Sequence, residues 1–163
     1  MISHQLLQTL LDYNPETGIF SWAVSRPGCR AGDRAGSRGA WGYRVIGVGN
    51  EQYREHRLVW FYMTGAWPDR DVDHVNRNRS DNRWENLRLC SASQNAANVG
   101  QKARNTSGLK GVSWDKDRGL WLAQIRIAGK KKNLGRFTDQ SEAKAVYDAA
   151  AKQQWGEFVC DHA

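Results

Sequence analysis

A mixed α+β architecture in two parts is predicted for this chain of 163 residues, on three observations. Residues 70–99 read as strand, loop, strand and helix, a ββα unit. Residues 108–163 read as three short strands followed by a helix with one apolar face. Between the two patterns, residues 100–107 are polar, include Lys102 and Arg104, and read as a linker. The expected domains are therefore 1–99, with the ββα core at about 70–99, and 108–163, a small three-stranded antiparallel sheet packed on one helix.

The first 55 residues carry the weakest pattern. Leu6, Leu7, Leu10 and Leu11 recur at helical spacing and are followed by Asn14-Pro15, which closes a short helix. Phe20-Ser21-Trp22 and Tyr43-Arg44-Val45-Ile46-Gly47-Val48 have strand character. Residues 28–42 set Arg30, Arg34 and Arg38 among glycines. Two readings fit them: a mobile basic loop that meets phosphates, or a solvated hairpin tip. His56-Arg57-Leu58-Val59-Trp60 opens an apolar helix stopped by Gly65, with Pro68 beyond, and His56 reads as structural.

The chemistry concentrates in the next segment, which begins Asp73-His74-Val75-Asn76. It continues through Asp81-Asn82-Arg83-Trp84-Glu85-Asn86-Leu87-Arg88-Leu89 to Ser93-Gln94-Asn95-Ala96-Ala97-Asn98. Hydrolysing a phosphodiester needs an activated water, a cation facing the phosphate and fixed geometry between them. Histidine is the natural base, because its unperturbed pKa lies near ~6.5. A carboxylate and an amide oxygen are hard ligands that suit Mg²⁺ or Mn²⁺. Adjacent on a strand, Asp73 and His74 point to opposite faces, so one can address a metal and the other a water.

Asn86-Leu87-Arg88-Leu89-Cys90 alternates like a short strand. Ser91 stands three residues before Gln94, the spacing of a capping box. The helix that starts there carries Asn95 and Asn98 on one face. Ala92, Ala96 and Val99 lie on another face, which is expected to pack inward. Asn82 and Asn98 read as loop and cap residues.

This segment resembles the His-Asn-His (HNH) endonuclease family, in the phage and homing branch whose third position is Asn. His74 matches the family's base and Asp73 the metal-binding acid before it. Asn86, twelve residues on, matches the middle position that braces the loop and the base; Asn95, nine further, matches the third position. The resemblance covers roughly residues 56–99. It implies metal-dependent hydrolysis of DNA that leaves 5′-phosphate and 3′-hydroxyl ends, with Asp73 and Asn95 holding one Mg²⁺ or Mn²⁺. Arg77, Arg79, Arg83 and Arg88 are candidate phosphate clamps.

In the C-terminal part, Gly119, Gly129 and Gly135 punctuate the strands, and residues 115–118 read as a turn. On the middle strand Trp121, Ala123, Ile125 and Ile127 share the face suited to the helix. That helix, about 141–155, presents Ala143, Val146, Tyr147, Ala150 and Ala151 at helical spacing. The opposite sheet face displays Gln124, Arg126, Lys131 and Asn133, which are donors for base edges and phosphates, or merely a solvated surface.

Residues from about 107 to 160 resemble the plant ethylene-response-factor (APETALA-type) DNA-binding domain. The resemblance is carried by Gly111-Val112, Trp121-x-Ala123-Gln124-Ile125, Leu134-Gly135-x-Phe137, Tyr147-Asp148-x-Ala150-Ala151 and Gly156-Glu157-Phe158. By position it assigns DNA contact to Lys110, Ser113, Asp115, Arg126, Lys131 and Asn133. Ser113 and Asp115 stand where that family has arginines, so its target sequence does not carry over.

Charge follows the same division. Residues 100–163 hold 12 Lys and Arg against 7 Asp and Glu, a net +5; residues 1–99 hold 12 against 10, a net +2. A basic module predicts a polyanionic partner and binding that weakens with salt. Cys29, Cys90 and Cys160 have no paired spacing, which argues against a disulfide framework or a cysteine zinc site. No apolar run reaches membrane-spanning length. The expectation is a cytoplasmic nuclease acting on double-stranded DNA, with no protein partner implied. A DNA-binding regulator without catalysis is the alternative, and charge by itself does not separate DNA from RNA.

Overall fold

The computed structural model describes residues 1–99 and 107–159. All but one residue of the expected linker, together with Cys160, lies outside the described residues. The chain divides into two compact units, Met1–Cys90 and Ser91–Ala163, both mixing helix and sheet.

In the first unit, α1 (His4–Leu10) leads directly into β1 (Leu11–Asn14), which pairs antiparallel with β2 (Ile19–Trp22). The helix is shorter than the leucine spacing predicts. Leu11 takes extended dihedrals and pairs with Trp22, so its side chain enters the core from a strand. A second sheet follows in the order β3 (Ser37–Arg38), β4 (Arg44–Val48), β5 (Glu51–Arg54). Helix α2 (Glu55–Thr64) ends at Gly65, whose φ of 74° is the left-handed stop that glycine supplies without strain. Strands β6 (Asp71–His74) and β7 (Leu87–Cys90) pair antiparallel and place Asp73 opposite Arg88 and His74 opposite Leu87.

Leu7, Leu11, Phe20, Ile46, Leu58 and Val59 form a fully buried core. Edge-on and tilted contacts among Tyr13, Phe20 and Tyr62 extend it. Residues 28–42, for which the sequence leaves a mobile basic loop and a solvated hairpin tip both open, contain β3 and the fully buried Ala35.

The second unit begins with α3 (Ala92–Asn98), whose N-terminus carries the full capping box of Ser91 and Gln94. Its sheet runs in the order β10 (Lys130–Phe137), β9 (Leu120–Ile127), β8 (Val112–Asp115), all antiparallel, and is followed by α4 (Gln140–Trp155). Val112, Ala123 and Ala143 form one buried cluster, and Ile125, Tyr147 and Ala151 another, so the inward face of β9 is the one predicted. Gly111, at φ 78°, is fixed by close approach: a Cβ there would run into the Tyr147 ring.

The buried face of α3 is not the expected one. Ala92, Ala96 and Val99 are exposed, and Ala97 and Asn98 are buried. The helix, expected with the first domain, has its fixed partners in the second unit. Trp155 Nε1 donates to Ser93 Oγ at 3.0 Å, and Lys110 Nζ donates to the carbonyls of Ala96, Ala97 and Val99 at 3.1, 2.6 and 2.6 Å.

Candidate active site

Strand β6 delivers Asp73 and His74 side by side, 7% and 3% exposed, and the pleat sends them to different neighbours. Asp73 meets Arg88 across the ladder, with Nη2 donating to Oδ2 at 3.2 Å. His74 turns toward the buried His56 and Asn82 and the half-buried Tyr43. Its ring centroid lies 5.1 Å from that of His56 and 6.1 Å from that of Tyr43.

The His74 ring meets Asn82, whose Oδ1 lies 2.9 Å from Nε2. An amide oxygen only accepts, so Nε2 carries the hydrogen and Nδ1 the lone pair, which is the arrangement a base needs. Burial pushes the His74 pKa down. The Asn82 bond and the carboxylates of Asp73 and Asp81 pull the other way, and Arg79 adds to the depression. The outcome favours the neutral ring. His56 is held neutral more strongly, its pKa lowered to about 3, first by burial and then by His74, Arg54 and Arg57.

Asn82 is itself held from the far end of the unit. Tyr13 donates its hydroxyl to the Asn82 carbonyl at 2.7 Å, and Trp84 N donates to the Pro15 carbonyl at 3.1 Å. Gly18, at φ 69°, lets the β1–β2 turn lie flat on this loop, since a Cβ would strike the backbone of Asn82 and Arg83.

Asn86 has a different task from Asn82. Its Oδ1 accepts from Asn76 N at 2.9 Å, and its Nδ2 donates to the Asp81 carbonyl at 2.7 Å and to Asn76 Oδ1 at 3.0 Å. It therefore braces the loop between β6 and β7, while Asn82 holds the ring. Sequence reading assigns Asn82 to the loop and Tyr43 to the start of a strand, with no role for Tyr43 at the site. The signal for Asn82 was its place in the Asp81-Asn82 pair inside the motif; for Tyr43 there was none.

The arginines divide by what they touch. Arg83 grips Asp81 through two bonds of 2.9 Å and Glu85 at 2.8 Å, which holds the Asp81 carboxyl down at about 2. Arg77 is exposed in a turn, with φ 63°. Arg79 and Arg54 place their guanidinium carbons 4.9 and 5.0 Å from the centre of the Tyr43 ring, a cation–π pair next to the His74 ring. Arg83 and Lys110, both expected at DNA, are committed to the loop and to the α3 C-terminus respectively.

Asn95 lies half-buried on α3 in the second unit. Asp73 and Asn95 offer hard oxygen donors, and that chemistry fits Mg²⁺ or Mn²⁺. Among the described residues no group of three or more His, Cys, Asp or Glu converges. Any cation at Asp73 would share its carboxylate with Arg88.

On the open face of the second sheet, Ser113, Arg126, Lys131 and Asn133 are exposed. Lys131 sits opposite Arg126 and Asn133 opposite Gln124. A groove of about 240 Å³ runs between Ser113, Gln124, Arg126 and Lys131. Asn133 Oδ1 accepts from Gly135 N at 3.0 Å where the register shifts. Asp115 pairs with Arg136 at 2.9 Å and Arg118 at 3.4 Å.

Comparison with known proteins bears on the same segment. The family model described as HNH endonuclease matches residues 53–97. Protein 3.8 of Escherichia phage T7 is 34% identical over 107 residues, which are 65% of this chain and 88% of that protein. No solved structure matches. No helix among the described residues is long and apolar enough to cross a membrane.

Proposed function

Since the chain belongs to the family of phage T7 Protein 3.8 and carries an HNH endonuclease domain, we propose that it is a metal-dependent endonuclease that nicks double-stranded DNA. The observation that carries this reading is the buried His74–Asn82 pair beside Asp73. His74 takes a proton from the attacking water at Nδ1, and Asn82 fixes the tautomer and ring orientation through Nε2–H. Asn86 keeps the loop closed around them. Asp73 would hold the divalent ion, which would supply positive charge to the phosphate as negative charge builds. Arg79 and Arg54 add fixed positive charge on the same side as Tyr43.

The open face of the second sheet grips DNA through Ser113, Arg126, Lys131 and Asn133, in keeping with the ethylene-response-factor-like pattern of the sequence. With Lys110 engaged at α3 and Arg83 at Asp81, neither is assigned to phosphate. Exposed Arg77 is retained as a phosphate contact.

Plasmid cleavage tests the reading. With Mg²⁺ or Mn²⁺ the native protein converts supercoiled plasmid to open circle. EDTA abolishes this, and His74→Ala slows it by about 10²-fold or more while DNA binding persists. Salt-sensitive DNA binding with no scission in either metal would overturn the nuclease and leave a DNA-binding regulator.

A further inference from the structure

Trp41 stands out as the residue whose placement the protein itself does not explain. It is 81% exposed, although tryptophan is the largest apolar side chain the chain has. Its backbone takes φ 64° and ψ 19°, and Gly42 after it has φ 80°. Gly39 N donates to the Tyr43 carbonyl at 2.7 Å, which closes a hairpin tip between β3 and β4. Positive φ at both central residues marks a tight turn of the type that selects Asn or Gly at the first of them. A bulky side chain there is strained, and this one gains no packing in return.

The tip is nonetheless tied to the proposed catalytic loop. Arg79 Nη1 donates to the Trp41 carbonyl at 2.7 Å, and the same guanidinium covers the Tyr43 ring. Tyr43 follows two residues later, about 7 Å of chain at most, and its ring lies 6.1 Å from that of His74. An exposed indole thus sits on a strained turn whose backbone is tied to Arg79, the cation that covers the Tyr43 ring, and that ring lies beside His74. Those are the components of an aromatic platform for nucleobases: positive charge tracks the backbone and a flat ring meets the base.

We propose that Trp41 stacks on a base of the DNA substrate next to the scissile phosphate, as a wedge that opens the base step and positions the strand at His74. The proposal rests on the nuclease reading above for its catalytic consequence, but not for the stacking itself. Strain at the turn fits this role: it aims the ring outward, toward a partner that arrives only with the substrate.

The test uses the full-length protein and its Trp41→Ala, Trp41→Gly and Trp41→Phe variants, each also in a His74→Ala background. In that background, without metal, mixed-sequence 40-base-pair duplex is titrated while tryptophan fluorescence and its quenching by acrylamide are followed. Stacking predicts a DNA-induced quenching, and a loss of acrylamide access, that disappear in Trp41→Phe. On supercoiled plasmid, Trp41→Ala and Trp41→Gly lower the nicking rate about 10-fold, and Trp41→Phe retains most of it. Trp41→Gly relieves the turn, so its Tm is equal to or above the native value.

Unchanged nicking in both truncations, or identical fluorescence changes with and without Trp41, would overturn the wedge. A marked fall in Tm for Trp41→Gly would also overturn it, by making the residue structural. Trp41-dependent quenching in a protein that nicks nothing would leave the stacking and sink the nuclease. Robust nicking without that signal would do the reverse.

Discussion

The interiors of the two units are built of different material. Among the described residues, the first unit buries Glu55, His56, Asp73, His74, Asn82 and Asn86, whereas the second buries one polar side chain, Asn98. Three buried atoms of the first unit, Glu55 Oε1, His56 Nδ1 and Asn82 Nδ2, have no hydrogen-bond partner among the described residues. An unsatisfied buried polar group costs about 1–3 kcal/mol, so this core is less stable than an apolar one of the same size. The second core, of Val112, Ala123, Ile125, Ala143, Tyr147 and Ala151, carries no such burden. The contrast teaches where stability has been yielded to chemistry.

If that is so, substitutions in the two interiors should separate activity from stability. The largest effect is expected for Asn82→Ala, which leaves the His74 ring without its orienting acceptor. Nicking should fall by about 10²–10³-fold, with only a few degrees lost from Tm. A variant that nicks at the native rate would remove Asn82 from the machinery. Next, Ile125→Ala in the second unit should cost about 2–5 kcal/mol of that unit's stability, read by denaturant unfolding. A loss below 0.5 kcal/mol would show that the apolar cluster is not the source of its stability.

The smallest effect is a pH dependence confined to the polar interior. His56 has a folded pKa of about 3 against an ordinary value of 6.5, because burial disfavours its charged form. Below pH 6.5 the unfolded chain takes up the proton first, so stability falls progressively as pH drops from 6.5 toward 3. Replacing the residue, as in His56→Leu, should flatten the Tm–pH curve across that window. Parallel curves for the native protein and the variant would refute the assignment.

Much of the frame was legible because it follows from local rules. The Gly65 stop, the Ser91–Gln94 capping box and the inward face of β9 are each set by residues within one element. What escaped was set by partners distant in sequence. Leu11 looks like the last turn of a helix until Trp22 pairs with it. The buried face of α3 is decided by Trp155 and Lys110, which no helical periodicity within the segment reveals. In the site, Asp73 and His74 were visible as a motif. The roles of Asn82 and Tyr43 depend on which loop folds against which ring. Lys110 and Arg83 looked like phosphate ligands because charge alone does not say whether a carbonyl or a carboxylate already occupies it.

The contact between Tyr13 and Asn82 joins residues 69 positions apart, and Gly18 presses on the same loop. The segment that the family model recognises, 53–97, therefore does not contain the supports of its own loop between β6 and β7. Moved into another protein as a cassette, it would arrive without the hairpin that fixes Asn82 and without Tyr43 beside His74. Anyone recombining this chain with a new DNA-binding part should keep residues 1–97 together as one inheritance and place the junction beyond them.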